Sequence, residues 1–432
     1  MAGVKPFKGY RYKIENPQEL TKVIAPPYDM IDSSMIDALY QKDPCNSVRL
    51  IQNRPEPQDT CNKDRHVRAA AIFRKWVDEG ILVQDQKPSV YVYQQTFRSP
   101  VGKEMVTFVR TGVIALVELV DFEKKIVLPH EYTLSGPKID RFELMDVSQV
   151  DMGLIFGLVS DKGDSYDAIK ALINGAPVGV AVDENGVEHR LYVCSDESLI
   201  NSFVKSVKDS TILIADGHHR YETALNYYKE KKSQGYSHVM MALVSMADPG
   251  LVIRSFHRLI RKTDRQLVMK SQLQRYFRMV DYGKASEDTV CDFMSGKLDA
   301  DMVYIDSADQ SAIGLYLSDD GEKFLQSVMP ERSMNWKHLS VSEINVVVIN
   351  TILGLPLDGK VLHDVVEYVN DIGTGLQKLK DSNSFHGGFF IRPVSIEAIQ
   401  NVVDGGERMP QKSTNFFPKL FSGLVFNRLS EL

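Results

Sequence analysis

The pattern of apolar and polar positions changes character along the chain. The first stretch is irregular: a helix begins near Asp32 to Ser34, an apolar run at 48–51 reads as a short strand, and 67–79 reads as a helix closed by Gly80, which tolerates the left-handed C-terminal conformation. Runs at 90–97 and 106–120 then carry the β-branched and aromatic residues of paired strands, with Gly112 offering a bulge or bend in the longer one. Next, apolar strand candidates at 153–159, 188–193, 211–215 and 238–246 alternate with helical spacing at 166–173, 197–207 and 219–232. Alternation of this kind predicts a mixed α/β (α+β) protein whose helices cover a mixed sheet. From Asp264 onward the pattern predicts a more helical region, with helices at 266–277, 341–353 and 361–369 and strands at 302–306 and 389–392. A boundary at 261–264 therefore divides the chain into 1–262 and 263–432, and no internal repeat is visible.

Composition narrows the class without naming a chemistry. The chain is 43% hydrophobic and 25% charged, as in an ordinary globular protein long enough to bury sizeable cores. A net charge of −6 argues against a general nucleic-acid binder, which needs a basic face to displace counterions from phosphates. Cys45, Cys61, Cys194 and Cys291 are far apart and form no C-x-x-C pair, so they read as reduced thiols. The amino terminus has no apolar signal core, and no uninterrupted apolar run of about eighteen residues occurs, so the expected location is cytoplasmic, away from membranes.

One junction concentrates the candidate chemistry. The apolar run at 211–215 meets Asp216-Gly217, and Tyr221, Ala224, Leu225 and Tyr228 follow at helical spacing, which makes a strand, a tight turn and a helix. Gly217 permits the turn, and the first helical amides lack partners and point at any anion placed there. His218, His219 and Arg220 add donors, while Asp216 adds a carboxylate for a metal ion or a substrate hydroxyl. The alternative is that Asp216 merely caps the helix above a solvated first turn. Against it, three basic residues at a helix start oppose the macrodipole, a local conflict that marks functional sites.

A second candidate is the loop Leu128-Pro129-His130-Glu131, where Glu131 is placed to take a proton from a hydroxyl; Lys138, Asp140 and Arg141 follow closely. It is not a zinc-protease helix, because Leu134 stands where the second histidine belongs. The segment from Gly406 to Thr414 superficially resembles a G-x-x-x-x-G-K-[ST] phosphate loop, but Gln411 replaces the second glycine and Pro410 removes a donor. Lys412, Ser413 and Thr414 remain candidates for a pocket or for a structural turn. Tyr28 and Asp29, in Ala25-Pro26-Pro27-Tyr28-Asp29, stand either at a pocket mouth or in a rigid packing turn.

Taken together, these four segments resemble the domain of unknown function 1015 family. The D-G-H-H-R box also resembles the second signature box of the ParB and sulfiredoxin-like superfamily, which includes kinases acting on free serine. That resemblance implies a phosphate and metal site at Asp216, His218, His219 and Arg220; the expected nucleotide-phosphate contacts are Gly217, His218, His219, Arg220, Lys412, Ser413 and Thr414, with Asp216 as the expected Mg2+ ligand. The expected reaction is phosphoryl transfer from ATP or ADP to the hydroxyl of a small metabolite such as L-serine, with Asp216 or Glu131 handling the hydroxyl proton. The alternatives are a nucleotide phosphohydrolase and a nucleotide-responsive regulator.

Overall fold

The computed structural model describes residues 3–133, 135–161, 163–263, 268–357 and 360–429. Its chain is mixed α+β, built on two sheets. In the larger, nine-stranded sheet the strands run in the order Val127–Pro129, Thr211–Asp216, Ile155–Ser160, His238–Ser245, Glu104–Glu118, Val90–Val101, Glu188–Cys194 and Gly179–Val182, with Val4–Lys5 added beside Glu104–Glu118. The long pair at 90–101 and 104–118 forms the expected hairpin, in unbroken register from Tyr91↔Ile114 to Val101↔Glu104. Gly112 makes no bulge there. A side chain on it would meet Val244 Cγ2 at 2.8 Å, so the glycine admits the neighbouring strand His238–Ser245.

Two parallel strands at one edge decide where the chemistry lies. Val127–Pro129 and Thr211–Asp216 pair in the register Ile214↔Pro129. Glu131 and Asp216 each follow this pair by two residues, so both leave the sheet at the same end. Helix His218–Lys231 then turns back and buries Tyr221, Ala224 and Leu225 in the apolar cluster that also takes Ile200, Phe203 and Val207 of helix Glu197–Val207.

The smaller sheet is fully antiparallel, in the order Phe277–Lys284, Ser311–Leu317, Met302–Asp306, Phe385–Ile391, His257–Arg261 and Val366–Val369. After it the chain returns to the first sheet region: Asn415–Phe417 pairs with Val252–Arg254, and Asn427–Arg428 with Val150–Asp151. One apolar core runs through both halves, from Tyr10, Trp76 and Tyr91 to Phe277, Trp336 and Val346.

Three expected elements differ. The run at 48–51 is a helical turn, not a strand, because the Asn46 side chain accepts the Val48 amide and starts a local turn that a four-residue apolar pattern cannot reveal. Of the helix expected at 266–277, residues 266 and 267 lie outside the described residues. The rest divides into helix Met269–Leu273 and a strand starting at Phe277. The helix expected at 361–369 stops at Val365, and Val366–Val369 pairs with His257–Ile260, where β-branched residues fit a sheet edge. At 341–353 the chain is helical, but Ile344–Ile352 is a π-helix, with Leu353 N–H donating to Val348 O.

Candidate active site

The strand-turn-helix junction closes on Gly217, which holds φ +91° at the N-cap position of a 14-residue helix. Asp216 does not cap that helix. Its Oδ1 accepts the Gly217 amide at 2.8 Å, while Oδ2 faces Lys419 Nζ at 2.9 Å and Arg220 approaches Oδ1 at 3.9 Å. Burial would raise the Asp216 pKa, but Lys419 and Arg220 overcome it and hold the carboxyl well below the usual carboxylate range. A fixed side chain thus anchors Arg220, which also donates from Nη1 to Leu154 O.

The histidines resolve the conflict with the helix dipole by being neutral. Burial, reinforced by His130, pushes His218 well below its ordinary pKa; burial also lowers His219, against the opposing influence of Glu222. His218 Nε2 accepts the His130 amide at 3.3 Å, which requires that nitrogen to be unprotonated. His130 is itself 1% exposed and lowered by burial. Its Nδ1–H donates to Ile214 O at 2.7 Å, leaving Nε2 to accept the Thr414 hydroxyl at 2.8 Å. His130 is therefore a brace that ties the loop to the strand and to the returning segment.

Glu131, the next residue, faces open space. Oε1 accepts the Ser413 amide at 3.2 Å, and among the described residues Oε2 has no hydrogen-bond partner. A cleft of about 730 Å3 is lined by Glu131, by all five residues from Asp216 to Arg220, and by Tyr28, Asp29, Lys412, Thr414 and Lys419. The fold thus brings the loop, the turn, the Pro-Pro-Tyr-Asp segment and two of the three Lys412-Ser413-Thr414 residues to one cavity.

Four residues expected at the pocket do not line it. Ser413 donates its hydroxyl to Pro410 O and is 2% exposed. Lys138 is engaged with Glu222 Oε2 at 3.0 Å and Thr133 Oγ1 at 3.1 Å. Arg141 bonds Asp140 and Ile51 O and stacks 4.0 Å over the Tyr28 ring, so it reaches the cleft only through Tyr28. His130 is the buried brace already described.

A magnesium ion held by the protein does not fit these donors. Asp216 faces a lysine where a dication would need it, and the described residues contain no group of three histidines, cysteines or carboxylates able to hold a metal. Magnesium would have to arrive with a nucleotide, held chiefly by phosphate oxygens.

Several residues of the site were not singled out from the sequence. Lys419 carries no local motif. Its position is set by a clamp on three successive carbonyls: Arg110 Nη1 donates to Phe417 O at 3.0 Å, Arg110 Nη2 to Pro418 O, and Gln95 Nε2 to Lys419 O at 3.0 Å. Arg110 is 1% exposed, and burial lowers its pKa to about 10. An arginine inside an apolar strand run was the available signal.

The model of the family described as "Protein of unknown function (DUF1015)" matches residues 4–344, so Lys412, Thr414 and Lys419 fall beyond the match. No curated protein matches. Among solved structures, the chain is similar to a free serine kinase in complex with AMP, at 12% identity and TM-score 0.34, covering 71% of this chain and 89% of that one. It is likewise similar to SbnI with C-terminal truncation from Staphylococcus aureus, at 12% identity and TM-score 0.36, covering 71% and 84%. A conserved hypothetical protein from Pyrococcus furiosus matches at 11% identity and TM-score 0.31, covering 71% and 93%.

Proposed function

We propose that this chain, which belongs to the DUF1015 family of proteins of unknown function, transfers a phosphoryl group from a nucleotide such as ATP or ADP to the hydroxyl of a small metabolite. The observation that carries the reading is the convergence of a helix N-terminus, two cations and an unengaged carboxylate oxygen in one cleft. Phosphate oxygens meet the first-turn amides after Gly217, where no carbonyl lies one turn behind. Arg220 and Lys419 stabilise the charge on the transferring group. Asp216 holds those two cations in place and, kept ionised below the ordinary range, is a weak base.

Glu131 is the base. Its Oε1 is anchored and its Oε2 is open to an acceptor hydroxyl. As the hydroxyl oxygen bonds to phosphorus, the bond from phosphorus to the nucleotide's bridging oxygen breaks, and the hydroxyl proton passes to Glu131. Among the described residues there is no magnesium ligand set, so any Mg2+ would come with the nucleotide.

The test incubates purified protein with ATP or ADP, Mg2+ and a panel of hydroxylated metabolites headed by L-serine, with products identified by mass spectrometry. A phosphorylated metabolite that disappears with Glu131→Gln and with Arg220→Ala is the expected result. Metabolite-independent phosphate release makes the protein a phosphohydrolase. Absence of nucleotide binding overturns the reading.

A further inference from the structure

The geometry points to a second anion subsite in the same cleft, built by Arg254 and Lys412 with Arg98 at its rim, which selects an acceptor carrying a carboxylate or phosphate of its own. That an acceptor is the occupant rests on the phosphoryl-transfer reading, but the anion site stands on its own geometry. All three cations line the cleft, and none has a carboxylate within ion-pair distance among the described residues. Arg220 and Lys419, by contrast, both pair with Asp216. Unpaired cations grouped in a cleft of a protein with net charge −6 leave an anion as the missing partner.

Arg254 is held ready for one. Its guanidinium lies 3.3 Å from the Phe417 ring centroid, Nη2 donates to Ser99 Oγ at 3.3 Å and reaches Arg98 O at 3.5 Å, and Nε is buried without a partner. Burial lowers its pKa, with Asp371 acting in opposition from beyond ion-pair range. The guanidinium is thus fixed on one face with Nη2 engaged and Nε buried, which leaves Nη1, without a partner among the described residues, to meet a carboxylate or phosphate. Lys412 is fixed through its backbone: φ is +57° and its carbonyl accepts Arg258 Nη2 at 3.2 Å, while Nζ lies 5.4 Å from the Phe256 ring.

The position of this pair relates it to the acceptor. Arg254 is the register partner of Asn415, and the residues just before Asn415 are Thr414, bonded to His130, and Ser413, whose amide holds Glu131. Arg254 therefore lies on the strand ribbon, and Lys412 in the turn that leads into it, on the side of the segment that holds Glu131, whereas the phosphate-binding amides belong to the helix after Gly217. An acceptor hydroxyl at Glu131 places the rest of its molecule beside Arg254 and Lys412.

The experiment titrates the full chain by calorimetry with ATP, glycerate, glycerol 3-phosphate and glycerol, separately and in pairs, for wild type, Arg254→Met and Lys412→Gln. Wild type is expected to bind at least one anionic probe about tenfold or more tightly than glycerol, with ATP present or absent. Either substitution is expected to erase most of that preference while ATP affinity stays within about twofold. Unchanged thermal unfolding shows that the variants are folded, and Lys412→Gln serves if Arg254→Met is not. Equal binding of glycerol and the anions overturns the subsite. A matching loss of ATP affinity also overturns it, by assigning the cations to the nucleotide. Anion preference without any ATP binding leaves the subsite standing and removes the phosphoryl-transfer reading.

Discussion

At the scale of single residues, the two carboxylates of the cleft divide their work by environment. Glu131 keeps one oxygen unengaged, so Glu131→Gln is expected to lower kcat about a hundredfold or more, with nucleotide affinity unchanged in direct titration. An equal loss in binding would make Glu131 a positioning group instead. Asp216 owes its low pKa to Lys419 before Arg220. Lys419→Met should therefore move the Asp216 carboxyl titration upward by carbon NMR and weaken ATP binding about tenfold. Should the titration stay in place, the Asp216–Lys419 pair at 2.9 Å is not what keeps the carboxylate ionised.

At the scale of elements, the turn is the sensitive part. Gly217→Ala would force a side chain into φ +91° and bring its Cβ to 3.0 Å from Arg220 Nε, so urea unfolding should show a loss of about 1–2 kcal/mol together with weakened ATP binding. Stability loss with intact binding would separate the turn from the site. The same junction was legible from sequence because its signals are local: an apolar run, Asp-Gly, then helical spacing. Helix Glu197–Val207 was legible for the same reason, with Asp196 at its cap accepting the Ser198 and Leu199 amides. What sequence did not reveal depends on distant partners. Val366–Val369 becomes a strand because His257–Ile260 offers it an edge, and Lys419 reaches Asp216 because Arg110 and Gln95 seize three carbonyls more than 300 residues away in sequence. Neither is encoded in a short window.

At the scale of the whole molecule, one continuous core joins both sheets, so the chain should unfold as one cooperative unit despite its length. The protein's two tryptophans report on the two halves: Trp76 packs against Tyr12, and Trp336 donates to Arg408 O at 3.0 Å. Fluorescence of Trp76→Phe and Trp336→Phe chains should then give coincident urea midpoints; separated midpoints would mean independently unfolding halves. The same coupling carries a pH signature from one buried group to the entire fold. Glu343, 3% exposed at the start of the π-helix segment, has Oε2 unpartnered, and burial raises its pKa to about 8, with Asp301 adding to the effect. The folded state therefore keeps a proton that the unfolded chain releases near pH 4.3, an approximate carboxyl value. Stability from this group is present below that pH, falls as pH rises, and is fully lost above about 8. Below about pH 6.5 the buried neutral histidines act in the opposite sense, because the unfolded chain protonates them first. Glu343 thus dominates the window from about 6.5 to 8, where stability should decline by up to about 1.4 kcal/mol per pH unit before levelling off. In Glu343→Gln that decline should flatten, and it should flatten equally in the Trp76 and Trp336 signals. A slope unchanged by the substitution would assign the pH dependence to another group, and a change confined to Trp336 would show that the core does not transmit it.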